Sequence, residues 1–334
     1  MGFGFEKREE RNRLIQIREP HQFLIPSGYC MKFKRKAWER LGGLNEQFIN
    51  GGEDQDIGLR ALDAGMSVGY IDNPMVHRHS QSAGRFDNTD SNVRLLKELW
   101  PNDKILRLLT KLRKVKIKDI PVLFTTFNRL EYTKKSLKSL LKSNCGQIYI
   151  IDNASTDGTR KYLKRLKSKR LNIIFNKENL GVRGAMQHFF DLTKDYTWVA
   201  KVDNDTLVPK DWLSKLQNCA LANNLDIVQA KHGITKETAE KGWKGMMSVC
   251  TKIANGVYQS NCVGGSGVII RRAAITELPE SDWVLGGWTH WQKRNRQVKK
   301  GFCEKVKITL FDTDEKGADY SKYPDYYKFT KRLK

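Results

Sequence analysis

Two carboxylates that could bind a metal ion stand one residue apart, at Asp203 and Asp205. They follow the mostly apolar run 198–202, which predicts a buried strand. Because the chain turns where a strand ends, carboxylates at positions i and i+2 can both reach one hard cation. Proteins commonly hold Mg²⁺ or Mn²⁺ through one or two carboxylates and the phosphate oxygens of a substrate. Asp is also a common turn residue, so the pair alone more often indicates a simple turn.

The elements around this pair predict an α/β fold. From residue 120 onward, predicted strands at 121–125, 147–151, 172–175, 198–202 and 226–230 alternate with predicted helices at 131–142, 158–168, 182–190 and 212–223. This alternation predicts a mostly parallel sheet with helices on both faces, a Rossmann-like arrangement. Ligands of such sheets bind at the carboxyl ends of the strands. The polar segments 125–129, 152–157 and 203–205 each follow a strand, so we expect them to converge on one crevice.

Composition bounds the class of protein. The 334 residues are 39% hydrophobic, with no run long enough to span a membrane and no apolar signal-peptide core, so we expect a soluble protein. The six cysteines are scattered without a CxxC pair, which argues against a zinc site or a disulfide framework and favours a cytoplasmic location. The formal net charge of +23 favours a polyanionic partner such as nucleic acid, anionic lipid or a phosphorylated glycan. A generally solvated basic surface is the alternative.

Four ordered motifs resemble the family 2 glycosyltransferases of the GT-A fold. They are Phe124-Thr-Thr-Phe-Asn-Arg129, Ile150-Ile-Asp-Asn-Ala-Ser-Thr-Asp-Gly-Thr159, Asn179-Leu-Gly-Val-Arg-Gly184 and Val202-Asp-Asn-Asp205. The resemblance implies a nucleotide-sugar donor, expected to be a UDP-sugar, with Mn²⁺ or Mg²⁺ bound by the DxD motif at Asp203 and Asp205. The nucleotide site that it implies contains Thr125, Phe127, Asn128, Arg129, Asp152, Asp157, Asn179, Gly181, Arg183 and Asp203.

The resemblance also divides the chain. Residues 1–100 resemble the acceptor half of a second such domain, residues 101–118 form a predicted basic linker helix, and residues 119–334 resemble a complete domain. Segment 27–35 aligns with 266–272, and segment 51–57 aligns in position with 286–292. The family's Glu-Asp pair, the general base of an inverting transfer, matches Glu53 and Asp54 in the first copy. It does not match Trp288 and Thr289 in the second.

The identity of the catalytic base therefore stays open at this stage. Asp54 could act across a domain interface, or a local carboxylate could substitute for it. A retaining transfer, in which the leaving phosphate accepts the proton, is the third option. The N-terminal copy could also serve only for packing or acceptor binding. The first copy's match to the family's late histidine is His77 or His79. The local candidates are Glu280, Asp282 and Asp312.

The leading hypothesis is a metal-dependent transferase that moves a sugar from a nucleotide sugar to a hydroxyl group. The alternatives are a non-catalytic polyanion-binding module, or a transferase for cell-surface polysaccharide or lipid-linked glycan. We also consider a hydroxymethylated base in viral DNA as the acceptor, since eleven basic residues lie between 134 and 170. They are Lys134, Lys135, Lys138, Lys142, Arg160, Lys161, Lys164, Arg165, Lys167, Lys169 and Arg170. Aromatic residues expected to stack on such a base are Trp243, Tyr258, Trp283, Trp288 and Trp291.

Overall fold

A computed structural model of the chain contains two compact units, residues 1–113 and residues 114–334. The structure describes residues 31–66, 68, 87–233, 249–280, 286–311, 313–314 and 317–318. Several residues named by the sequence analysis lie outside these ranges: His77, His79, Trp243, Asp282, Trp283 and Asp312. Within the described residues, no helix is long and apolar enough to cross a membrane.

The N-terminal unit is helical where the structure describes it. Its helices are α1 (Arg35–Leu41), α2 (Glu53–Asp63), α3 (Thr89–Leu99) and α4 (Asn102–Arg113). Leu59 and Leu62 of α2 form a buried cluster with Trp100 and with Leu108 of α4. The predicted linker helix is therefore shorter than expected, and it packs into the N-terminal unit because its apolar positions recur at helical spacing.

One buried carboxylate, Asp56, links the helices of this unit. It accepts a hydrogen bond from Nε1 of Trp100 at 2.8 Å and forms an ion pair with Nε of Arg60 at 2.7 Å. Arg60 in turn donates to the carbonyl oxygen of Gly43 at 2.9 Å. The predicted base candidates Glu53 and Asp54 lie half-buried in the first turn of α2, where the helix dipole favours acidic side chains.

The C-terminal unit is built on one large mixed sheet. Its strands are β1 (Val122–Thr126), β2 (Ile148–Asp152), β3 (Leu171–Phe175), β4 (Trp198–Asp203), β5 (Thr206–Leu207), β6 (Ile227–Gly233), β7 (Thr251–Ala254), β8 (Val257–Ser260), β9 (Val268–Arg271) and β10 (Lys300–Leu310). They are ordered β3-β2-β1-β4-β9-β6-β10-β8-β7, and β5 pairs with β10. Strands β1 to β4 are mutually parallel, as predicted. Strand β9 runs antiparallel between β4 and β6. A separate short hairpin consists of β11 (Thr313–Asp314) and β12 (Gly317–Ala318).

Helices cover both faces of this sheet. They are α5 (Leu130–Lys142), α6 (Thr159–Arg165), α7 (Gly181–Leu192), α8 (Trp212–Ala222) and α9 (Gly286–Arg294). One buried cluster contains Val122 and Phe124 of β1 with side chains of α5, α6 and α8. The other contains Leu123 with side chains of α7 and α9. Because alternate residues of a strand point to opposite faces, these clusters are the two cores that hold the strand ends in place.

The predicted elements from residue 120 to 233 agree with the structure to within a few residues. The largest difference is α6, which ends at Arg165 although a helix to residue 168 was expected. Basic and polar residues dominate its last predicted turn, and the chain is already extended at Leu166. The antiparallel strands β7 to β9 were not predicted, because they are short and follow turns.

Candidate functional site

The three predicted polar segments meet at the carboxyl ends of β1, β2 and β4. In the register of the sheet, Thr125 stands opposite Asp203 and Thr126 stands opposite Asp152. The three strands are adjacent and parallel, so their ends form one edge. This convergence is what the sequence predicted from the order of strands and helices.

Asp203 is the last residue of β4 and the first carboxylate of the DxD motif. Its Oδ1 accepts a hydrogen bond from Oγ1 of Thr125 at 2.6 Å and a charged hydrogen bond from Nζ of Lys201. Its backbone N–H donates to Oγ of Ser266 at 2.9 Å. The side chain is 29% exposed, and no partner of Oδ2 occurs among the described residues. Oδ2 is therefore the oxygen that is open to a ligand.

Asp205, the second carboxylate, is paired with a buried guanidinium. Nη1 of Arg129 lies 3.2 Å from its Oδ2, and Oγ1 of Thr206 donates to its Oδ1 at 3.1 Å. The Arg129 side chain is only 3% exposed. Arg129 was predicted for the nucleotide site, and in the structure its guanidinium contacts Asp205 and Asn204 of the DxD turn.

Asn204, the middle residue of the motif, holds the turn in place. Its Nδ2 lies within hydrogen-bonding distance of the carbonyl oxygen of Asn128 at 3.0 Å, of Oγ1 of Thr133 at 3.1 Å and of Oγ1 of Thr126 at 3.2 Å. Its Oδ1 accepts a hydrogen bond from Arg129. The side chain is buried. These bonds connect the end of β4 to the turn after β1, so the position of both carboxylates depends on an uncharged residue.

The turn after β1 has an unusual backbone. Asn128 and Arg129 both adopt left-handed conformations, with φ of 53° and 61°. Non-glycine residues rarely adopt this conformation, and it costs energy that surrounding contacts must offset. Here the offsetting contacts include the bond from Oδ1 of Asn128 to the N–H of Thr156 at 2.8 Å. The amide of Asn128 thus joins the β1 and β2 loops, although the resemblance placed it in the nucleotide site.

Asp157 has a comparable position in the β2 loop. Its Oδ2 accepts from the N–H of Leu130 at 2.8 Å, and its Oδ1 accepts from Oγ1 of Thr159 at 2.6 Å. Leu130 and Thr159 are the first residues of α5 and α6. The N–H of Thr159 also donates to Oδ1 at 3.1 Å, so the carboxylate satisfies the first N–H groups of two helices.

Asp152 differs from Asp157 because one of its oxygens is buried without a partner. Its Oδ2 accepts from the N–H of Ser155 at 3.2 Å and lies 3.0 Å from Nε of Arg160. Its Oδ1 is buried and has no hydrogen-bond partner among the described residues. Burial raises the pKa of this carboxyl, and the neighbouring Arg160 charge opposes the shift. A buried acceptor without a donor is costly, so this oxygen is suited to an incoming N–H group.

The predicted residues of the third motif lie at the start of α7. Oδ1 of Asn179 accepts from the N–H of Gly181 at 2.9 Å and so caps the helix. Nη2 of Arg183 donates to the carbonyl oxygen of Leu278 at 3.0 Å. Arg183 also lies 3.7 Å from Glu280, whose side chain is 92% exposed. Phe127, the remaining predicted residue, is half-buried after β1.

Two of the aromatic residues predicted to stack on an acceptor base are buried. Trp288 and Trp291 of α9 stack on each other, with ring centroids 5.5 Å apart and planes inclined by 3°. Nε1 of Trp288 donates to the carbonyl oxygen of Val263 at 3.2 Å. The prediction that these two rings contact an acceptor is wrong, because they form the core between α9 and the sheet. Tyr258 on β8 is half-buried.

The glycine ahead of Trp288 explains how α9 approaches α7. A Cβ atom on Gly287 would lie 2.6 Å from Cγ of Arg183, which is too close for any side chain. On the other side of α9, Gln292 binds the backbone of Val263 through both of its amide atoms, at 2.8 and 2.9 Å. Helix α9 therefore supports the loop 263–266 beside Asp203.

Sequence reasoning missed two residues at the site, Lys201 and His232. Lys201 was taken only as part of an apolar strand, although a lysine two residues before a carboxylate on the same face of a strand is a signal for an ion pair. His232, near the end of β6, is half-buried and interacts with the charges of Asp203 and Asp205. Burial lowers the pKa of His232, and its ring pairs with Gln229. No sequence signal distinguished this histidine.

The residues at the strand ends fit a divalent cation of the Mg²⁺ or Mn²⁺ type. Oδ2 of Asp203 has no partner among the described residues, and Asp205 lies two residues further along the chain. Within the described residues there is no group of three or more His, Cys, Asp or Glu side chains that could hold a metal. The protein would thus supply one or two carboxylates, and substrate phosphates and water would complete the coordination, as is usual for Mg²⁺.

The family match agrees with this geometry. Residues 122–276 match the model of the family described as glycosyl transferase family 2. The matched segment runs from the start of β1 past the end of β9, and it includes all four motifs. This segment is just under half of the chain, and it is similar to the family 2 glycosyltransferases. No curated protein matches the chain in sequence.

Several solved structures share a distant likeness with the chain. S. aureus TarS 1-349 is 13% identical over 59% of this chain and 61% of that chain, with a TM-score of 0.44. The same protein in complex with UDP-GlcNAc is 14% identical over 59% of this chain and 60% of that chain, with a TM-score of 0.45. GalNAc-T7 with UDP, GalNAc and Mn²⁺ is 11% identical over 59% of this chain and 44% of that chain, with a TM-score of 0.43. The chain thus spans less than two thirds of these structures.

Replacing Asn204 with alanine should destabilise the C-terminal unit. The change leaves Arg129 and the turn after β1 without their buried partner, so we expect a loss of about 2–4 kcal/mol in the free energy of unfolding. The exposed Asn172 on β3 is a matched control, and Asn172→Ala should change stability by no more than about 0.5 kcal/mol. Denaturant titration measures both, and equal stability of the two variants would contradict the role assigned to Asn204.

Proposed function

We propose that the C-terminal unit transfers a sugar from a nucleotide sugar to a hydroxyl acceptor, with the donor bound at the carboxyl ends of β1, β2 and β4. The observation that supports this best is a pair of carboxylate oxygens, Oδ2 of Asp203 and Oδ1 of Asp152, that have no partner among the described residues and lie at the ends of the two strands that flank β1 in the segment that matches family 2. One group is suited to the diphosphate end of a donor and the other to its base.

Asp152 is the proposed contact for the base. Its Oδ1 accepts hydrogen bonds and lacks a donor among the described residues. Uracil presents an N–H group at N3, whereas cytosine presents an acceptor there. A UDP-sugar therefore complements this oxygen better than a CDP-sugar does. Thr125 and the turn after β1 would then lie under the ribose and the diphosphate.

Asp203 and Asp205 are the proposed metal ligands. A bound Mg²⁺ or Mn²⁺ would supply Lewis-acid stabilisation of the charge that develops on the departing nucleotide diphosphate. The chain's own contribution is to fix the ligands before the donor arrives. Thr125 orients Asp203, and Arg129 orients Asp205. Preorganised charges of this kind lower the barrier because they need no rearrangement during the reaction.

The acceptor proton needs a base or a leaving-group oxygen. Asp282 and Asp312, two of the local candidates, lie outside the described residues. Glu280 has an exposed carboxylate near Arg183 at the start of α7, so it is the local candidate that the geometry supports. The alternatives are that Asp54 of the N-terminal unit acts as the base, or that the transfer is retaining. We also still propose that residues 1–100 resemble the acceptor half of a second domain.

Removing the charge of Asp203 should abolish turnover while preserving the fold. Asp203→Asn keeps an oxygen that can accept from both Thr125 and Lys201, but it removes the carboxylate. We expect donor hydrolysis and transfer to fall by about 100-fold or more, because metal and oxyanion contacts of this kind contribute several kcal/mol. Nucleotide sugars are first screened with the wild-type protein in Mn²⁺. The turnover of the best donor is then compared between wild type and Asp203→Asn.

The control is Asp211→Asn at the surface end of α8, where the carboxylate pairs with Lys215. It should retain full turnover. Unchanged turnover in Asp203→Asn, with a normal melting curve, would show that the site assignment is wrong.

Changing Asp152 to asparagine should weaken UDP binding and reduce the preference for uridine. The N–H of Ser155 donates to Oδ2 of Asp152, and the charged guanidinium of Arg160 lies 3.0 Å from the same oxygen, so the amide oxygen will face them and the NH₂ group will occupy the position of Oδ1. An acceptor thereby becomes a donor, and UDP affinity should fall by about tenfold or more relative to CDP. Calorimetric titration measures this, with Asp54→Asn as the control. An equal loss in both variants would contradict the assignment.

The basic helices give a reason to propose a polyanionic acceptor such as DNA. On α5 the exposed cations are Lys135, Lys138 and Lys142, and on α6 they are Lys161, Lys164 and Arg165. Three of the eleven predicted cations have partners within the protein. Lys134 pairs with Glu131 at 2.7 Å. Arg160 pairs with Asp152, and Arg170 donates to the carbonyl oxygens of Leu141 and Cys145 at 3.0 and 2.9 Å. A solvated surface is the competing explanation of the rest.

DNA binding at these helices should depend steeply on salt. Each phosphate contact on B-DNA contributes a slope of about −0.9 in a plot of log affinity against log salt. The double variant Lys138→Gln, Lys161→Gln should therefore lose about two phosphate contacts, which makes the slope shallower by about 1.8. Lys215→Gln with Lys293→Gln, on α8 and α9, is the control pair. Titration of duplex and single-stranded DNA measures this, and no binding at low salt would favour a glycan or lipid-linked acceptor.

A further inference from the structure

We propose that Lys201 is a positioning residue whose buried ammonium neutralises Asp203 and allows a nucleotide diphosphate to bind without a divalent cation. The inference rests on the proposed donor site. The inference concerns binding of the nucleotide alone. For turnover, the proposed metal ligands are still Asp203 and Asp205.

The first argument is the burial of Lys201. It lies in the centre of β4, its side chain is 2% exposed, and its neighbours in the ladder are the apolar residues Leu123 and Val268. Lysine is almost never fully buried unless it is paired, because removing an ammonium from water is costly. The partner that offsets this cost is Oδ1 of Asp203.

The second argument is the position of the ammonium. Nζ also donates to the carbonyl oxygen of Gly265 at 2.7 Å. Gly265 belongs to the loop 263–266, which Trp288 and Gln292 of α9 hold through the backbone of Val263. The charge is therefore fixed beside Asp203. An ammonium has three N–H donors, and no acceptor for the third occurs among the described residues.

The third argument is the balance of charge at the DxD turn. Asp203 faces Lys201, and Asp205 faces Arg129. Both cations are buried, so water screens them little. Two carboxylates without counter-ions would repel a diphosphate until a metal bound. In this protein two fixed cations already offset them, so an anionic donor can approach the site in the absence of a metal.

A second buried lysine provides a matched control. Lys300 on β10 is as buried as Lys201, but its Nζ donates to the carbonyl oxygens of Asn295 and Val298 at 2.8 and 2.7 Å. Lys300→Met removes a buried ammonium that has no hydrogen bond to the DxD carboxylates. It therefore reports the general effect of losing a buried lysine.

The experiment is calorimetric titration of UDP into the full chain, in EDTA and in Mn²⁺, for wild type, Lys201→Met and Lys300→Met. Wild type should bind UDP in EDTA within about tenfold of its affinity in Mn²⁺. Lys201→Met should lose about tenfold or more in EDTA and recover most of it in Mn²⁺, because the cation then replaces the missing charge. Lys300→Met should follow wild type in both conditions.

A second readout is Mn²⁺ binding to the nucleotide-free protein, followed by electron paramagnetic resonance. Lys201→Met should bind Mn²⁺ more tightly than wild type, since Oδ1 of Asp203 is no longer neutralised. A role of Lys201 in folding alone would not raise Mn²⁺ affinity.

Three outcomes would overturn the inference. Wild type that binds UDP in Mn²⁺ but not in EDTA leaves the proposed function standing and removes the role of Lys201. An equal loss in EDTA and Mn²⁺ in Lys201→Met makes the residue structural only. Absence of UDP binding under every condition overturns the proposed function as well. If Lys201→Met does not fold, the titrations of wild type still test the inference, because UDP binding in Mn²⁺ without binding in EDTA would contradict it.

Discussion

The candidate site depends on how the turn after β4 is held. Asn204 binds the backbone of Asn128 and the guanidinium of Arg129, and the carboxylates on either side of it each face a buried cation. Except for the ion pair between Lys201 and Asp203 within β4, these bonds join residues of different elements. Strands β1 and β4 must therefore be paired before the carboxylates can take their positions, so the site is a product of the parallel half of the sheet.

Several residues predicted for the nucleotide site also have structural contacts in this arrangement. Polar atoms of Asn128, Arg129 and Asp157 join the loops and helix starts at the carboxyl ends of β1 and β2. Asp152 and Asp203 each keep one oxygen that has no partner in the part of the chain that the structure describes, Oδ1 and Oδ2 respectively. We expect a rigid site, because each carboxylate of the DxD motif is held by a second residue. Thr125 binds Asp203, and Arg129 binds Asp205.

Helix α9 has a structural role, although the sequence analysis aligned it in position with the segment that contains Glu53 and Asp54. Its Trp288 and Trp291 lie in the core, and its Gln292 holds the loop beside Asp203. A carboxylate at the aligned position would have to replace a buried indole. In the N-terminal unit, Glu53 and Asp54 begin α2, but the carboxylate that the unit buries is Asp56, two residues further along.

The sequence by itself determined the order of strands and helices, the family, and the edge of the sheet where the polar segments meet. These depend on local periodicity and on short motifs, which are readable along the chain. Only the tertiary structure decided that Nζ of Lys201 donates to the carbonyl oxygen of Gly265, that Arg129 pairs with Asp205, and that the two tryptophans of α9 are buried. These contacts join residues such as Lys201 and Gly265, which are 64 positions apart. The physical reason is that the direction of a polar side chain is set by whichever partner the fold brings near it, and composition carries no information about that partner.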